Sequence, residues 1–198
     1  PMGLVYFPST SGSGVCGASA SFDIPIGYGQ KSAIMSSLGT VMPSGNTPTG
    51  DAINYAINDQ VFLDTARKQY LILITDGKPC CMPGCTDASI LAFDAVNAVK
   101  LARGRKVEIQ TFVIGFGKLA PDELQVMNDM ADAGGQPAAT TGMYHYYRAE
   151  DSTALNAALD GIIKTVISGG GDVGSGTTVC DDSCYSVACP SSQICISA

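Results

Sequence analysis

The hydrophobic residues from Tyr70 to Ile74 form a continuous run that stops at Thr75-Asp76-Gly77. Such a run is typical of a strand that is buried on both faces, as in parallel sheets. Ligands of open α/β sheets bind beyond the carboxyl ends of the strands, which is the position of Asp76. Asp-Gly is also a common turn, and from this stretch alone the turn is the better interpretation.

Apolar residues at strand spacing and at helix spacing alternate along the rest of the chain. Strands are predicted over residues 2–7, 22–26, 107–115 and 143–147. Helices are predicted to begin near residues 30, 52, 86, 121 and 152. Strands that alternate with helices predict an α/β fold with a doubly wound, mostly parallel sheet and helices on both faces.

The glycines and cysteines near the end of the chain predict three parts. Residues 1–168 are expected to form the α/β domain, and residues 169–179 a flexible glycine-rich linker. Residues 180–198 are too few to bury a core of their own, so we expect a small module held by two disulfides.

The eight cysteines indicate the compartment in which the protein is found. An even, clustered set in a chain with few charges predicts disulfides and an oxidising compartment. They are Cys16, Cys80, Cys81, Cys85, Cys180, Cys184, Cys189 and Cys195. The protein is therefore expected to be secreted or held at the cell surface, with pairings that the sequence leaves open. The chain does not begin with a signal peptide, so the start of an exported protein would have been removed or would lie outside this chain.

Charge and motifs exclude several classes of function. The net charge is −7 and there is no basic cluster, which argues against nucleic acid and against anionic membrane surfaces as partners. No apolar run has the length of a membrane-spanning helix. Because the sequence has no Gly-x-Ser-x-Gly, His-Glu-x-x-His or phosphate-loop motif, we do not expect an enzyme.

Thr47 and Asp76 stand in polar loops on either side of one predicted helix and its following strand. In a doubly wound sheet both loops lie at the same edge. A hydroxyl and a carboxylate that converge there suit a hard divalent cation such as Mg²⁺. The alternative is that Thr-Pro-Thr-Gly-Asp, residues 47–51, serves only to cap the helix.

Several segments in order resemble the von Willebrand factor type A domain: GNTPTGDAINYA at 45–56, YLILITDGKP at 70–79, FVIGFG at 112–117, Ala133-Gly134-Gly135, and the strand and helix over 143–167. The resemblance covers residues 2 to 168 and implies that family's Rossmann-like fold. It also implies a metal-ion-dependent adhesion site, in which the metal takes a carboxylate from a partner protein.

By this resemblance, Thr47 supplies the hydroxyl ligand and Asp76 the acidic ligand of Mg²⁺, or of Ca²⁺ or Mn²⁺ in its place. Thr49 and Asp51 are further candidates, as residues near the ion that contact its ligands. For Asp51, the role of an acid in the first turn of a helix is the better interpretation.

The Asp-x-Ser-x-Ser motif that ends the family's first strand is not found. Ser9-Thr10-Ser11-Gly12-Ser13 is superficially similar, but the interval from there to Thr47 is too short for the family's first helix and the hairpin after it. Residues 2–7 and 22–26 instead resemble the family's second and third strands. The first strand and helix are thus expected to be missing, and the metal to bind only if their ligands are supplied.

A missing central strand would leave an empty slot between residues 2–7 and 70–75, with unpaired backbone groups. We expect another segment to fill it, such as the N-terminal part of the same precursor. The predicted function is an extracellular adhesion or protein-binding module. The alternative is a structural subunit of an extracellular or surface assembly, completed by a strand from a neighbour, with a vestigial metal site.

Two weaker candidates involve His145 and its neighbours. Cys80, Cys81 and Cys85 with His145 would suit zinc, but their irregular spacing favours disulfides. Tyr144, Tyr146 and Tyr147 would suit a contact patch, and packing of a strand explains them equally well.

Overall fold

The computed structural model describes residues 1–9, 17–19, 21–42, 44–80, 88–139 and 141–169. The predicted linker after residue 169 and the predicted module 180–198 lie outside these residues, as do all the cysteines except Cys80. The chain divides into two compact units, Pro1–Ile162 and Ile163–Ala198. Among the described helices, none has both the length and the apolar character that a membrane crossing requires.

Five strands and five α-helices follow one another in the described residues. The strands are β1 (Met2–Leu4), β2 (Ile24–Gly27), β3 (Gln69–Thr75), β4 (Ile109–Phe116) and β5 (Tyr147–Ala149). The helices are α1 (Lys31–Leu38), α2 (Thr49–Ile57), α3 (Ala88–Arg103), α4 (Pro121–Gly134) and α5 (Ser152–Gly169), with a 3₁₀ turn at Gln60–Leu63. Strands β3, β4 and β5 form a parallel sheet in that order, and β1 pairs with β2 in an antiparallel ladder. The predicted α/β fold class is confirmed.

Strand β4 is the centre of the parallel sheet. It pairs with β3 over seven residues, from Gln69 opposite Ile109 to Thr75 opposite Gly115, and its end pairs with β5. Helices α2, α3 and α4 share one hydrophobic cluster with these strands. The cluster includes Ile53, Ile57, Leu73, Ala95, Val99, Ile109, Val113, Met127 and Met130. The core therefore lies between these three helices and one face of the sheet.

The opposite face of the sheet is covered unevenly. Phe112 and Ile114 of β4 are fully buried there, and the Phe112 ring lies near those of Tyr70 and Tyr147. In β3, by contrast, Ile72 is 38% exposed and Ile74 is 42% exposed. The prediction that β3 is buried on both faces is wrong, because the cover over this face does not extend from β4 to β3.

Ladders β1–β2 and β3–β4–β5 are not joined to each other in the described part of the chain. Both nevertheless contribute to one core, because Phe7, Phe22 and Ile26 pack against the cluster that contains Leu73. Among the described residues, residues 2–7 are not paired with residues 70–75. That another segment fills the interval stays a prediction.

Two predicted strand boundaries are wrong. The strand expected over 143–147 lies at Tyr147–Ala149, since the residues before it are held by helix α4 instead of the sheet. The strand expected over 2–7 ends at Leu4, and the Tyr6 N–H group donates to the Asp23 carboxylate at 2.7 Å. In both places a side chain satisfies a backbone group that the pattern had assigned to a ladder.

Helix α4 lies close to strand β4 at Gly134. A Cβ atom added to Gly134 would lie 2.4 Å from the carbonyl oxygen of Thr111. The next residue, Gly135, ends the helix with a φ of +75°, a conformation that favours glycine. The Ala133-Gly134-Gly135 segment is therefore explained by packing and by helix termination.

Thr111 is fully buried, and its Oγ1 atom has no hydrogen-bond partner among the described residues. Thr111→Val replaces the hydroxyl with a methyl group of similar size, so we expect the free energy of unfolding to rise by about 1 kcal/mol. Urea unfolding measures this change. The matched control is Thr75→Val, because buried Thr75 donates from Oγ1 to the Gly77 carbonyl at 3.1 Å. This control should lose stability, and a comparable loss in Thr111→Val would contradict the assignment.

Candidate metal-binding edge of the sheet

Two loops meet at the carboxyl end of β3. The Thr47 N–H group donates to the Cys80 carbonyl at 2.7 Å, and the Cys80 N–H group donates to the Thr47 carbonyl at 3.0 Å. Asp76 lies at the end of β3, in the same loop as Cys80. Thr47 and Asp76 therefore occupy the same edge of the molecule. We call residues 46–49 and 76–80 the carboxyl rim.

The rim is shaped by short-range hydrogen bonds. The Thr47 carbonyl also accepts the Thr49 N–H group at 2.9 Å, which turns the chain into helix α2. The Thr75 hydroxyl bonds the Gly77 carbonyl and so closes the turn after β3. Within this frame Asp76 is exposed and Thr47 is half-buried, so both side chains remain near the surface.

The two further candidates lie in different environments. Thr49 is fully buried, and its hydroxyl is 3.5 Å from the Thr47 carbonyl, where it supports the turn before α2. Asp51 is exposed in the first turn of α2, where an acid is favoured by the helix dipole. Both positions have a structural explanation that needs no metal.

Glu123 is a second carboxylate next to the rim, and it was not among the predicted site residues. A methyl group placed on Gly77 would lie 3.4 Å from Glu123 Oε1. The other oxygen, Oε2, accepts the Ala120 N–H group at 2.6 Å, which fixes the start of α4. The signal in the sequence was an acid in the first turn of a helix that follows the next strand, β4. Its position near Gly77 depends on tertiary packing and could not be read from the sequence.

The donors at the rim fit a hard divalent cation in kind, since a hydroxyl and a carboxylate are oxygen ligands. Thr47 and Asp76 alone are fewer than the six ligands that Mg²⁺ takes. The described residues hold no group of three or more His, Cys, Asp or Glu side chains placed to bind a metal. Any ion held here would need further ligands from water, from Glu123 or from another segment.

His145 has a structural role in the described chain. Its ring Nδ1 atom is 2.8 Å from Asp132 Oδ2, and its backbone N–H group donates to Asn128 Oδ1 at 2.7 Å. Cys80 is disulfide-bonded, and its partner lies outside the described residues. The zinc site considered from the sequence is therefore not supported, because His145 faces Asp132 and the Cys80 sulfur is already bonded.

The tyrosines near β5 are mainly packing residues. Tyr146 is 2% exposed, and its ring meets that of Tyr144 edge-on at 5.8 Å. Burial, with a smaller contribution from Tyr144, raises the pKa of Tyr146 above its ordinary value of 10.0. Arg148 lies over the Tyr144 ring at 4.7 Å. Tyr144 and Arg148 are thus the surface part of this group, and Tyr146 is part of the core.

The parallel sheet, the flanking helices and the two loops at the carboxyl rim agree with a comparison to known protein families. The model of the von Willebrand factor type A domain matches residues 18–161, and the chain belongs to this family. No curated protein and no solved structure matches the chain. Membership is consistent with an adhesion or protein-binding module.

Proposed function

We propose that this domain is an extracellular adhesion or protein-binding module whose carboxyl rim holds a divalent cation. The cation would be Mg²⁺, or Ca²⁺ or Mn²⁺ in its place, with Thr47 and Asp76 as ligands from this chain and the remaining ligands supplied by the missing N-terminal segment. The observation that carries the proposal is the pair of hydrogen bonds between Thr47 and Cys80, because it brings the Thr47 hydroxyl to the loop of Asp76. The proposal gives the domain a binding role and no catalytic one.

When bound, the ion would accept a carboxylate oxygen from a partner protein. The residues of the chain suit this role because they neutralise little of the ion's charge. Thr47 is neutral, and Asp76 is exposed at the end of its strand, so the rim brings few negative charges to the ion. A weakly neutralised cation keeps its attraction for another acid. The partner proposed here is therefore a protein with an accessible Asp, Glu or C-terminal carboxylate.

Asp76→Ala tests the metal site through thermal stability. We expect Mg²⁺ to raise the melting temperature of the chain joined to a segment that supplies the missing N-terminal ligands, because a ligand that binds only the folded state adds about 2.7 kcal/mol at one hundred times its Kd. Asp76→Ala should abolish this increase. Asp51→Ala is the matched control and should retain it, since Asp51 is an exposed acid in the first turn of α2. An undiminished Mg²⁺ effect in Asp76→Ala would contradict the proposed ligand.

The extracellular setting is a further part of the proposal, supported by the eight cysteines and by the disulfide at Cys80. We expect the natural protein to contain no free thiol. Intact mass after alkylation, with and without prior reduction, counts the thiols. Alkylation without reduction should add no label, and after reduction it should add one label to each cysteine. Eight free thiols in the unreduced protein would contradict the extracellular setting.

A structural subunit of an extracellular assembly is the second candidate. It is favoured by the small number of charged ligands among the described residues of the rim. In that role, the Thr47–Cys80 contact would only join α2 to the sheet, and Mg²⁺ would not change the melting temperature. Filaments or ladders of the chain in electron micrographs, formed equally well in the presence of EDTA, would favour this candidate.

A further inference from the structure

Two short basic segments lie side by side at the amino ends of β3 and β4, at the end of the sheet opposite the carboxyl rim. Residues 67–68 come directly before β3, and residues 105–106 come shortly before β4. Gln69 at the start of β3 pairs with Ile109 at the start of β4, and neighbouring strands are about 5 Å apart. The register of the sheet therefore brings together basic residues that are distant in the sequence.

Arg103, at the end of α3, extends this cluster. Its Nε–H group donates to Glu108 Oε1 at 3.4 Å, next to the start of β4. A Cβ atom added to Gly135 would lie 2.8 Å from the Nε and Cζ atoms of Arg103, so a glycine at this position leaves room for the guanidinium group. We use the name basic pole for the five residues Arg67, Lys68, Arg103, Arg105 and Lys106.

Positive charge is in excess at the basic pole. Asp64 and Glu108 each pair with one arginine of the pole, at 3.1 Å and 3.4 Å. Arg105 and Lys106 pair with no carboxylate in the part of the chain that the structure describes. Four of the five residues are exposed, and Arg105 is half-buried. The pole is therefore open to an anionic partner.

The charge of the rest of the chain limits what can bind here. The pole holds five of the eleven Lys and Arg residues, whereas the chain has eighteen Asp and Glu residues and a net charge of −7. A nucleic acid, a long acidic polysaccharide or an anionic membrane would extend beyond the pole and be repelled by this acidic excess. A short acidic segment of a protein would contact the pole alone. The expectation that there is no basic cluster does not hold in the fold, because the sheet adds residues 67–68 to residues 103–106.

We propose that the basic pole binds a short acidic segment of a partner protein, whose Asp or Glu side chains reach both basic segments. The planar side chain of arginine can bind a carboxylate through two parallel hydrogen bonds. An exposed ion pair contributes at most about 1 kcal/mol, so several pairs must form together and binding should depend strongly on salt. This binding surface is separate from the carboxyl rim and uses no metal.

The probe is a fluorescein-labelled peptide of about eight residues, which spans about 27 Å when extended, with Glu at alternate positions and Ser between them. Titrations use the full chain in EDTA, so that no carboxylate can bind through a metal at the carboxyl rim. We expect the peptide to bind, and its Kd to rise more than about tenfold between about 50 and 500 mM NaCl. A peptide with Gln in place of every Glu should not bind. The amide resonances of residues 67–69 and 103–108 should shift on binding.

Variants of the chain test the location of the site. Arg105→Glu combined with Lys106→Glu should raise the Kd of the peptide more than about tenfold. The matched control is Lys31→Glu combined with Lys118→Glu, because it changes the net charge by the same amount at two exposed positions outside the pole. The control should change the Kd less than about twofold, since salt screens charges outside the contact. Circular dichroism checks that each variant is folded. If the first variant does not fold, Arg105→Gln combined with Lys106→Gln replaces it and should raise the Kd at least about threefold.

Four results would overturn the proposal. They are the absence of binding by the Glu peptide, an unchanged Kd in the variants of the pole, an equal rise of the Kd in the control variant, and stronger binding of another class of ligand. The last is measured with duplex DNA, heparin and vesicles of phosphatidylcholine and phosphatidylserine, each compared with the peptide at equal charge concentration. Loss of the Mg²⁺ effect at the carboxyl rim would leave this inference unchanged, so the two proposals fail separately.

Discussion

We expect Gly134→Ala to lower the free energy of unfolding by about 3 kcal/mol, the upper part of the usual range for overpacking a core. The added Cβ atom would lie 2.4 Å from the Thr111 carbonyl oxygen, which is backbone of the central strand and cannot rotate away. Helix α4 would have to move off the sheet. In a chain of this size the melting temperature should fall by about 6–12 °C. Urea unfolding and calorimetry measure both quantities.

Gly161→Ala is the matched control, because Gly161 also lies in a helix but a Cβ atom there would meet none of the described residues within 4 Å. Alanine is the better helix former, so this variant should gain about 0.5–1 kcal/mol. Equal changes of the same sign in the two variants would contradict the close approach of α4 to β4 at Gly134.

Phe112→Ala is expected to cost about 4 kcal/mol, because it removes a large, fully buried side chain from the centre of the sheet. Its neighbour in register, Ile72, provides a comparison on the same face of the sheet. Ile72→Ala should cost less than about 1.5 kcal/mol in the free chain, since the side chain is 38% exposed.

The contrast between these two variants tests the uneven cover of the sheet directly. Equilibrium unfolding in urea gives both values in the same buffer. Equal losses for Phe112→Ala and Ile72→Ala in the free chain would show that this face is covered over both strands.

The fold class was predictable because hydrophobic periodicity is a local property. The apolar run of β3, the helical stripe of α5 and the start of α4 at Pro121 appear in the structure where the pattern places them. Asp151 bonds the Ala154 N–H group at 2.8 Å, as expected for the residue before a helix. Strand ends were less predictable, because Asn128 and Asp23 satisfy backbone groups from distant parts of the chain.

The carboxyl rim was also only partly predictable, because it too depends on side chains from distant parts of the chain. Loop order and the family resemblance were enough to place Thr47 and Asp76 at one edge, and the Thr47–Cys80 contact agrees with that placement. They were not enough to find Glu123, which comes from a helix start more than forty residues after Asp76. Burial of Ile72 was overestimated for a related reason. An apolar pattern indicates which side chains favour burial, but the packing of distant segments decides how much of each side chain is buried.

If the proposed rim binds a partner under tension, the Thr47–Cys80 contact would have a mechanical consequence. A force applied at Asp76 would pass into the sheet through seven residue pairs between β3 and β4, and into the loop before α2 through the two backbone hydrogen bonds between Thr47 and Cys80. The smaller set should break first as the load rises. The loops joined by Thr47 and Cys80 would then separate and the partner would dissociate. The sheet would stay folded, and the partner could bind again when the load falls.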